Sequence, residues 1–101
     1  MENDLAIILS NNIITNSKEL NSIIKKIKEK SPENEYREYI KKLSHIMALN
    51  FDVLDILGKE YPELNPYEKE GESSLEFETV KKRIEAIEEK ALNLIKINGG
   101  S

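Results

Sequence analysis

The feature that most constrains the fold is an apolar pattern in the middle of the chain. Residues at spacings of three and four form one series: Tyr36, Tyr39, Ile40, Leu43, Ile46, Met47, Asn50, Val53, Leu54 and Leu57. This spacing places their side chains on one face of an α-helix. Ser31 is a suitable N-cap and Pro32 a suitable first helical residue, while Gly58 followed by Pro62 suits a helix end. We therefore predict a helix over residues 32–57, about seven turns long.

Two further segments show the same helical spacing. The last one opens with Ser73 and Glu76, which have the form of a capping box, and we predict a helix over residues 74–98. The first one covers about residues 3–30 and carries a continuous apolar stripe. Residues 14–17 within it are weak helix formers, so the sequence allows either one helix or two short ones. We favour the continuous helix.

These segments predict an all-α fold in a single domain, residues 1–101. Helix, tight turn, helix, long link and helix form an antiparallel helical hairpin plus a third helix, which is a three-helix bundle. The second helix also carries a thinner apolar line at Leu49 and Ile56, beside His45 and Asp52. A helix that is apolar on two sides usually has neighbours on both. We therefore expect a homodimer that completes the bundle, with Leu49, Asp52 and Ile56 at the dimer interface.

Composition excludes several classes of function. The chain has no Cys, which removes disulfides, thiolate zinc sites and cysteine catalysis. Its 19 acidic and 15 basic residues give a net charge of −4, which is unfavourable for binding DNA or RNA. No apolar run exceeds Leu5–Leu9, too short to cross a membrane, and Glu2 and Asp4 stand where a secretory signal needs basic residues. We expect a soluble cytoplasmic protein that binds neither nucleic acid nor membranes.

Motifs for catalysis or cofactor binding do not occur in the sequence. There is no Gly-rich phosphate loop and no His-Glu-x-x-His motif. His45 is the single imidazole, and Asp52 is about 10 Å further along the predicted helix, so the two side chains cannot share a ligand directly. We expect no enzyme activity, no metal site and no cofactor. A metal or small-ligand site inside the bundle, around His45, Asp52, Asn16 and Asn50, is retained only as an alternative.

Two asparagines interrupt the apolar stripes of the first two helices. If these helices are antiparallel with a turn near residue 31, Asn16 lies close to Asn50. A buried amide costs stability unless it is hydrogen-bonded, and a paired one fixes the register of two helices. We therefore predict a buried polar pair that sets register, in preference to a ligand site.

The link between the second and third helices, residues 59–73, contains prolines and is strongly acidic. From Lys59 to Glu78, seven acidic residues and two lysines give a local charge of −5. An acidic segment that carries tyrosines can attract and anchor a basic protein surface. The predicted partner-binding residues are Glu60, Tyr61, Glu63, Tyr67, Glu68, Glu70 and Glu72. The alternative is a solvated linker in which Tyr61 and Leu64 cover the open end of the bundle.

The sequence thus predicts a small acidic helical protein–protein interaction module, an adaptor or inhibitor that binds a basic partner surface. One alternative is a structural subunit that completes a larger helical bundle. Others are a toxin-neutralising protein of the immunity type and a bundle that binds a metal or a small ligand.

Overall fold

A computed structural model describes residues 1–67 and 77–97, and these residues are almost entirely helical. The elements are α1 (Asn3–Lys30), α2 (Glu33–Glu60), a 3₁₀ turn (Pro62–Leu64) and α3 (Phe77–Ile97). α1 packs against both α2 and α3, which confirms the predicted all-α three-helix bundle. Within the described residues α2 and α3 hardly touch each other, so α1 is the shared middle helix. No helix in this part of the chain has an apolar stretch long enough for a membrane crossing.

α1 is one continuous helix, although residues 14–17 are weak helix formers. Ile14 and Ser17 are both buried. The Ser17 hydroxyl donates a hydrogen bond of 2.9 Å to the Ile13 carbonyl oxygen, within the same helix. Packing of this run into the bundle therefore outweighs its low helix propensity.

The start of α2 differs by one residue from the predicted helix over residues 32–57. Ser31 is not the N-cap of α2; it is the C-cap of α1, and its N–H donates to the Ile27 carbonyl oxygen. Pro32 occupies the N-cap position, and its carbonyl oxygen accepts the N–H of Glu35 at 3.0 Å. Ser31 and Pro32 together form the whole turn between the two helices.

Gly58 does not end α2 as predicted, because the helix continues to Glu60. A Cβ atom at position 58 would lie 2.8 Å from the Cβ of Asn65, closer than real Cβ atoms approach. The Asn65 amide holds this position by donating to the Asp55 carboxylate at 3.1 Å, and its side-chain oxygen accepts the N–H of Tyr67 at 3.2 Å. Glycine is therefore needed here for close packing of the following segment, and a left-handed helix end plays no part.

The third helix corresponds to the prediction over residues 74–98. The predicted capping box, Ser73 and Glu76, lies outside the described residues. Of the predicted link over residues 59–73, the first two residues belong to α2. We call residues 61–67 the strap, because they fold back across the end of the bundle.

The buried core lies at one end of the molecule. Its apolar members are Ala6, Ile7, Ile14, Leu54, Leu57, Leu64, Ile84, Ile87 and Ala91. They come from the first half of α1, the last part of α2, the strap and α3. Residues 18–49, the other half of the α1–α2 hairpin, contain no buried residue. We call residues 18–49 the arm and the rest of the bundle the core end.

Candidate protein-binding surface

One side of α2 exposes a line of apolar side chains. We define the outer face of α2 as Tyr39, Ile46, Leu49, Val53 and Ile56. Tyr39 is 70% exposed, Ile46 44%, Leu49 50% and Ile56 68%, while Val53 is partly buried. Single exposed apolar residues are normal on a protein surface, but several along one side of a helix, here with Lys42 among them, are typical of a contact surface.

The spacing of the outer face is that of a coiled-coil seam. Tyr39, Ile46 and Val53 are seven residues apart, and Leu49 and Ile56 each follow by three residues. These are the a and d positions of a heptad repeat, which pack against another helix when one is available. Leu49 and Ile56 were predicted to lie on this side of α2, whereas Tyr39, Ile46 and Val53 were predicted to lie on the inner stripe. The seven-residue spacing was the signal that joins them to the exposed line.

The opposite side of α2 is covered by the protein's own strap. Gly58 and Asp55 contact Asn65, and the ring of Phe51 lies edge-on to the ring of Tyr67 with centroids 5.2 Å apart. At 100° per residue, these three α2 positions lie roughly opposite the outer face. The strap therefore leaves the outer face free for contact with another molecule.

A shallow groove extends the outer face at the turn between α1 and α2. Its volume is about 310 Å³, and its lining residues are Ile27, Ser31, Glu35, Tyr36 and Tyr39. The walls are mainly apolar side chains from both helices of the arm. Such a groove can take one large apolar side chain of a partner.

The two asparagines lie side by side where the helices meet. The Asn50 amide donates to the Asn16 side-chain oxygen at 2.8 Å and to the Ser17 hydroxyl at 3.3 Å. The pair is not buried as we expected, because Asn16 is exposed and Asn50 only partly buried. Successive helix positions are rotated by 100°, so when Ser17 faces the inside of the bundle, Asn16 next to it points towards water. Whether the pair sets the register of the hairpin remains a prediction.

The residues of the link that were predicted to bind a partner divide into three groups. Glu60 and Glu63 are exposed. Tyr61 and Tyr67 pack against the core, and the Tyr61 hydroxyl donates to the Met1 carbonyl oxygen at 2.5 Å. Burial raises the pKa of the Tyr67 phenol above 10.0. The remaining predicted residues, Glu68, Glu70 and Glu72, lie outside the described residues.

The strap is fixed to the bundle by buried contacts. Leu64 is 1% exposed, and its carbonyl oxygen accepts a 2.6 Å hydrogen bond from the Ser10 hydroxyl on α1. On the other side, the Arg83 guanidinium on α3 donates to the Pro62 carbonyl oxygen at 3.3 Å. Tyr61 and Leu64 therefore cover the end of the bundle, as in the alternative interpretation of the link.

Leu49, Asp52 and Ile56, the predicted dimer interface, are all exposed on the same side of α2. His45 is exposed beside them. The described residues contain no group of three or more His, Asp and Glu side chains placed to hold a metal ion.

Comparison with known proteins identifies no matching protein family, no similar curated protein and no similar solved structure. The functional argument therefore rests on the geometry of the surfaces described above.

Proposed function

We propose that this protein acts by protein–protein contact, as a small acidic helical module of the adaptor or inhibitor type, and that it is a homodimer. The observation that supports this most is the outer face of α2, a line of half-exposed apolar side chains at heptad spacing. Such a face is stable in water only at a cost, which pairing with another helix removes. A cytoplasmic location belongs to the same proposal.

The size of the outer face fits a helix-sized partner. Full burial of one Leu or Ile side chain stabilises by about 1.5–3 kcal/mol. Because the four exposed residues are about half exposed, a two-fold pair of outer faces would gain about 6–12 kcal/mol from eight side chains. Association costs about 4–15 kcal/mol, so the apolar burial available to a dimer is of the same size as this cost.

Light scattering of the purified protein at low and high salt tests the homodimer. We expect about twice the 11.6 kDa chain mass. The double variant Leu49→Ala/Ile56→Ala should shift the mass towards one chain. Leu92→Ala on α3 is the matched control for position 49, because both leucines are 50% exposed. A wild-type mass of one chain at every concentration would contradict the homodimer.

The second part of the proposal is that the acidic segment from Lys59 to Glu78 binds a basic protein surface. Its support is the local charge of −5 and the exposure of Glu60 at the end of α2 and of Glu63 in the strap. Charge complementarity of this kind raises the association rate and weakens with salt.

A basic peptide of alternating lysine and arginine is a direct probe of the acidic segment. We expect binding that weakens as salt increases, and that weakens further in the triple Gln variant of Glu68, Glu70 and Glu72. The matched control removes the same charge from α3, as the triple Gln variant of Glu85, Glu88 and Glu89. Equal weakening by both variants would mean that only net charge matters, and would contradict a site in the acidic segment.

The outer face also supports the alternative of a structural subunit that completes a larger helical bundle. A native mass well above two chains would favour it over the homodimer. The toxin-neutralising alternative rests on size and charge alone, and the metal or ligand alternative has no further support in the described residues.

A further inference from the structure

We infer that α2 pairs antiparallel with α2 of a second copy in one defined register, with Ile46 opposite Leu49 of the second copy. The two-fold axis then passes between residues 47 and 48. This inference rests on the proposed homodimer and specifies its interface. It follows from three properties of α2: its apolar layers, its flanking charges and the position of Lys42.

The apolar layers of the outer face match in this register. In an antiparallel pair, each a position packs against a d position of the other helix. Tyr39 then lies opposite Ile56 of the second copy, and Ile46 opposite Leu49 of the second copy. The two-fold axis repeats both layers. All four exposed residues of the outer face are therefore covered at once.

The charges beside the outer face are complementary in the same register. Glu38, His45, Asp52 and Lys59 are seven residues apart, and all are exposed. The register places Glu38 beside Lys59 of the second copy, and His45 beside Asp52 of the second copy. Symmetry doubles each pair, so two Glu38–Lys59 ion pairs form and two Asp52 carboxylates face an imidazole that can donate a hydrogen bond. Complementary charges of this kind select the partner and the register of helical pairs.

Lys42 distinguishes the antiparallel pair from a parallel one. It occupies a d position of the outer face, so a parallel pair would place the two Lys42 ammonium groups against each other. In the antiparallel register Lys42 lies opposite Val53 of the second copy and next to Asp52 of the second copy. The aliphatic stem can then cover Val53 while the ammonium group approaches the carboxylate.

A parallel pair also loses the flanking ion pairs. There, each g position would face an e position of the other helix, and the e positions are Leu43, Asn50 and Leu57. None of these side chains is charged. One contact disfavours the antiparallel register: Glu35 would face Glu60 of the second copy at the two ends of the pair, where salt screens the repulsion.

The register also relates the arm to the core end. Tyr39, Lys42 and Ile46 belong to the arm, and in this register they face Ile56, Val53 and Leu49 of the second copy. Two of those three lie beyond the arm, at the core end of α2. The arm of each copy is thus covered largely by the core end of the other.

Site-specific cross-linking tests the register without changing the outer face. The chain has no Cys, so the double variant Glu38→Cys/Lys59→Cys carries two thiols at known positions. Within one chain these positions are 21 residues of helix apart, about 31 Å. A short thiol-specific bismaleimide therefore cannot join them within one copy. In the inferred register it joins position 38 of one copy to position 59 of the other.

We expect the double variant to give a covalent dimer on a denaturing gel. Each single variant is the control and should stay a single chain, because identical positions are about 31 Å apart across the two-fold axis. Efficient cross-linking of both single variants would show a parallel pair and overturn the inference.

Two other results separate this inference from the proposed function. If the Glu38→Cys/Lys59→Cys variant has the mass of two chains but does not cross-link, the register is wrong while the homodimer stands. If the wild-type protein has the mass of one chain at every concentration, both the homodimer and the register are wrong.

Discussion

The core end and the arm carry apolar residues at the same helical spacing but differ in what covers them. At the core end, α3 and the strap lie against the hairpin, and Leu54 and Leu57 are buried. In the arm, Ile40 and Leu43 belong to the same apolar stripe of α2, yet they are only partly buried. At the core end a third element packs over the two helices of the hairpin and completes the burial of their side chains. Among the described residues, nothing covers the arm as α3 and the strap cover the core end, and the proposed homodimer would supply such a cover.

The largest expected effect is on the free energy of unfolding when one leucine of the core end or one of the arm is replaced by alanine. Leu54→Ala at the core end should reduce the free energy of unfolding by about 2–5 kcal/mol, because it leaves a cavity in a fully buried site. Leu43→Ala in the arm should cost about 1–2 kcal/mol, since less apolar surface is lost and water can enter. Urea denaturation of both variants at a concentration where the protein is monomeric measures the difference. Equal losses would mean that the arm is packed as well as the core end.

The next effect concerns the contact between α2 and the strap. Gly58→Ala should reduce the free energy of unfolding by about 1–3 kcal/mol, because the added methyl group would overlap the Asn65 Cβ atom. Helix propensity alone predicts the opposite, a gain of about 1 kcal/mol. Ser44→Ala, at an exposed position of α2 in the arm, is the control and should be neutral or slightly stabilising. A stabilised Gly58→Ala protein would show that the strap does not pack this closely.

A smaller effect is expected from exchanging two charges beside the outer face. Glu38→Lys alone should weaken the dimer about tenfold, because it places two lysines together at two symmetric contacts, each worth up to about 1 kcal/mol. Lys59→Glu alone should weaken it similarly. The double variant Glu38→Lys/Lys59→Glu restores both pairs with the charges reversed and should recover most of the affinity. Analytical ultracentrifugation measures the three dissociation constants. If the double variant does not dimerise more tightly than the single variants, the proposed register is wrong.

The smallest effect is a pH dependence of the strap. Burial raises the pKa of Tyr67 in the folded protein above 10.0, so the folded state holds this proton more strongly than the unfolded state. Its contribution to stability is therefore complete below about pH 10 and is lost as the pH rises through the folded pKa. Tyr67→Phe should reduce the loss of stability at alkaline pH, with Tyr39→Phe in the arm as the matched control. An unchanged alkaline transition in Tyr67→Phe would mean that the strap does not bury this ring.

The sequence predicted the features that depend on local spacing. Apolar residues at three- and four-residue intervals are enough to identify the helices and their order. The position of the turn near residue 31 is enough to bring Asn16 and Asn50 together, since the rise of an antiparallel pair fixes which residues are neighbours. The continuous form of α1 also followed from its unbroken apolar stripe.

The features that depend on contacts between distant residues could not be predicted in this way. The sequence predicts a helix end at Gly58, whereas the structure needs glycine there because Asn65 packs against it. Tyr39 and Ile46 read as inner residues, because the pattern does not show that α3 covers only one half of the hairpin. The tyrosines of the link, Tyr61 and Tyr67, read as partner anchors, while the fold uses them to close its own end.

Amide hydrogen exchange at several protein concentrations tests whether the arm is covered only in the proposed dimer. It reports on the arm and the core end in one experiment. Exchange is slow where backbone hydrogen bonds open rarely and fast where few buried contacts hold them. We predict that amides of residues 36–49 exchange faster than those of residues 6–14 in dilute protein. As the concentration rises into the range of the dimer, exchange in residues 36–49 should become slower while residues 6–14 change little. If exchange in the arm is as slow as at the core end and independent of concentration, the arm is as well packed as the core end and gains no cover from a second copy.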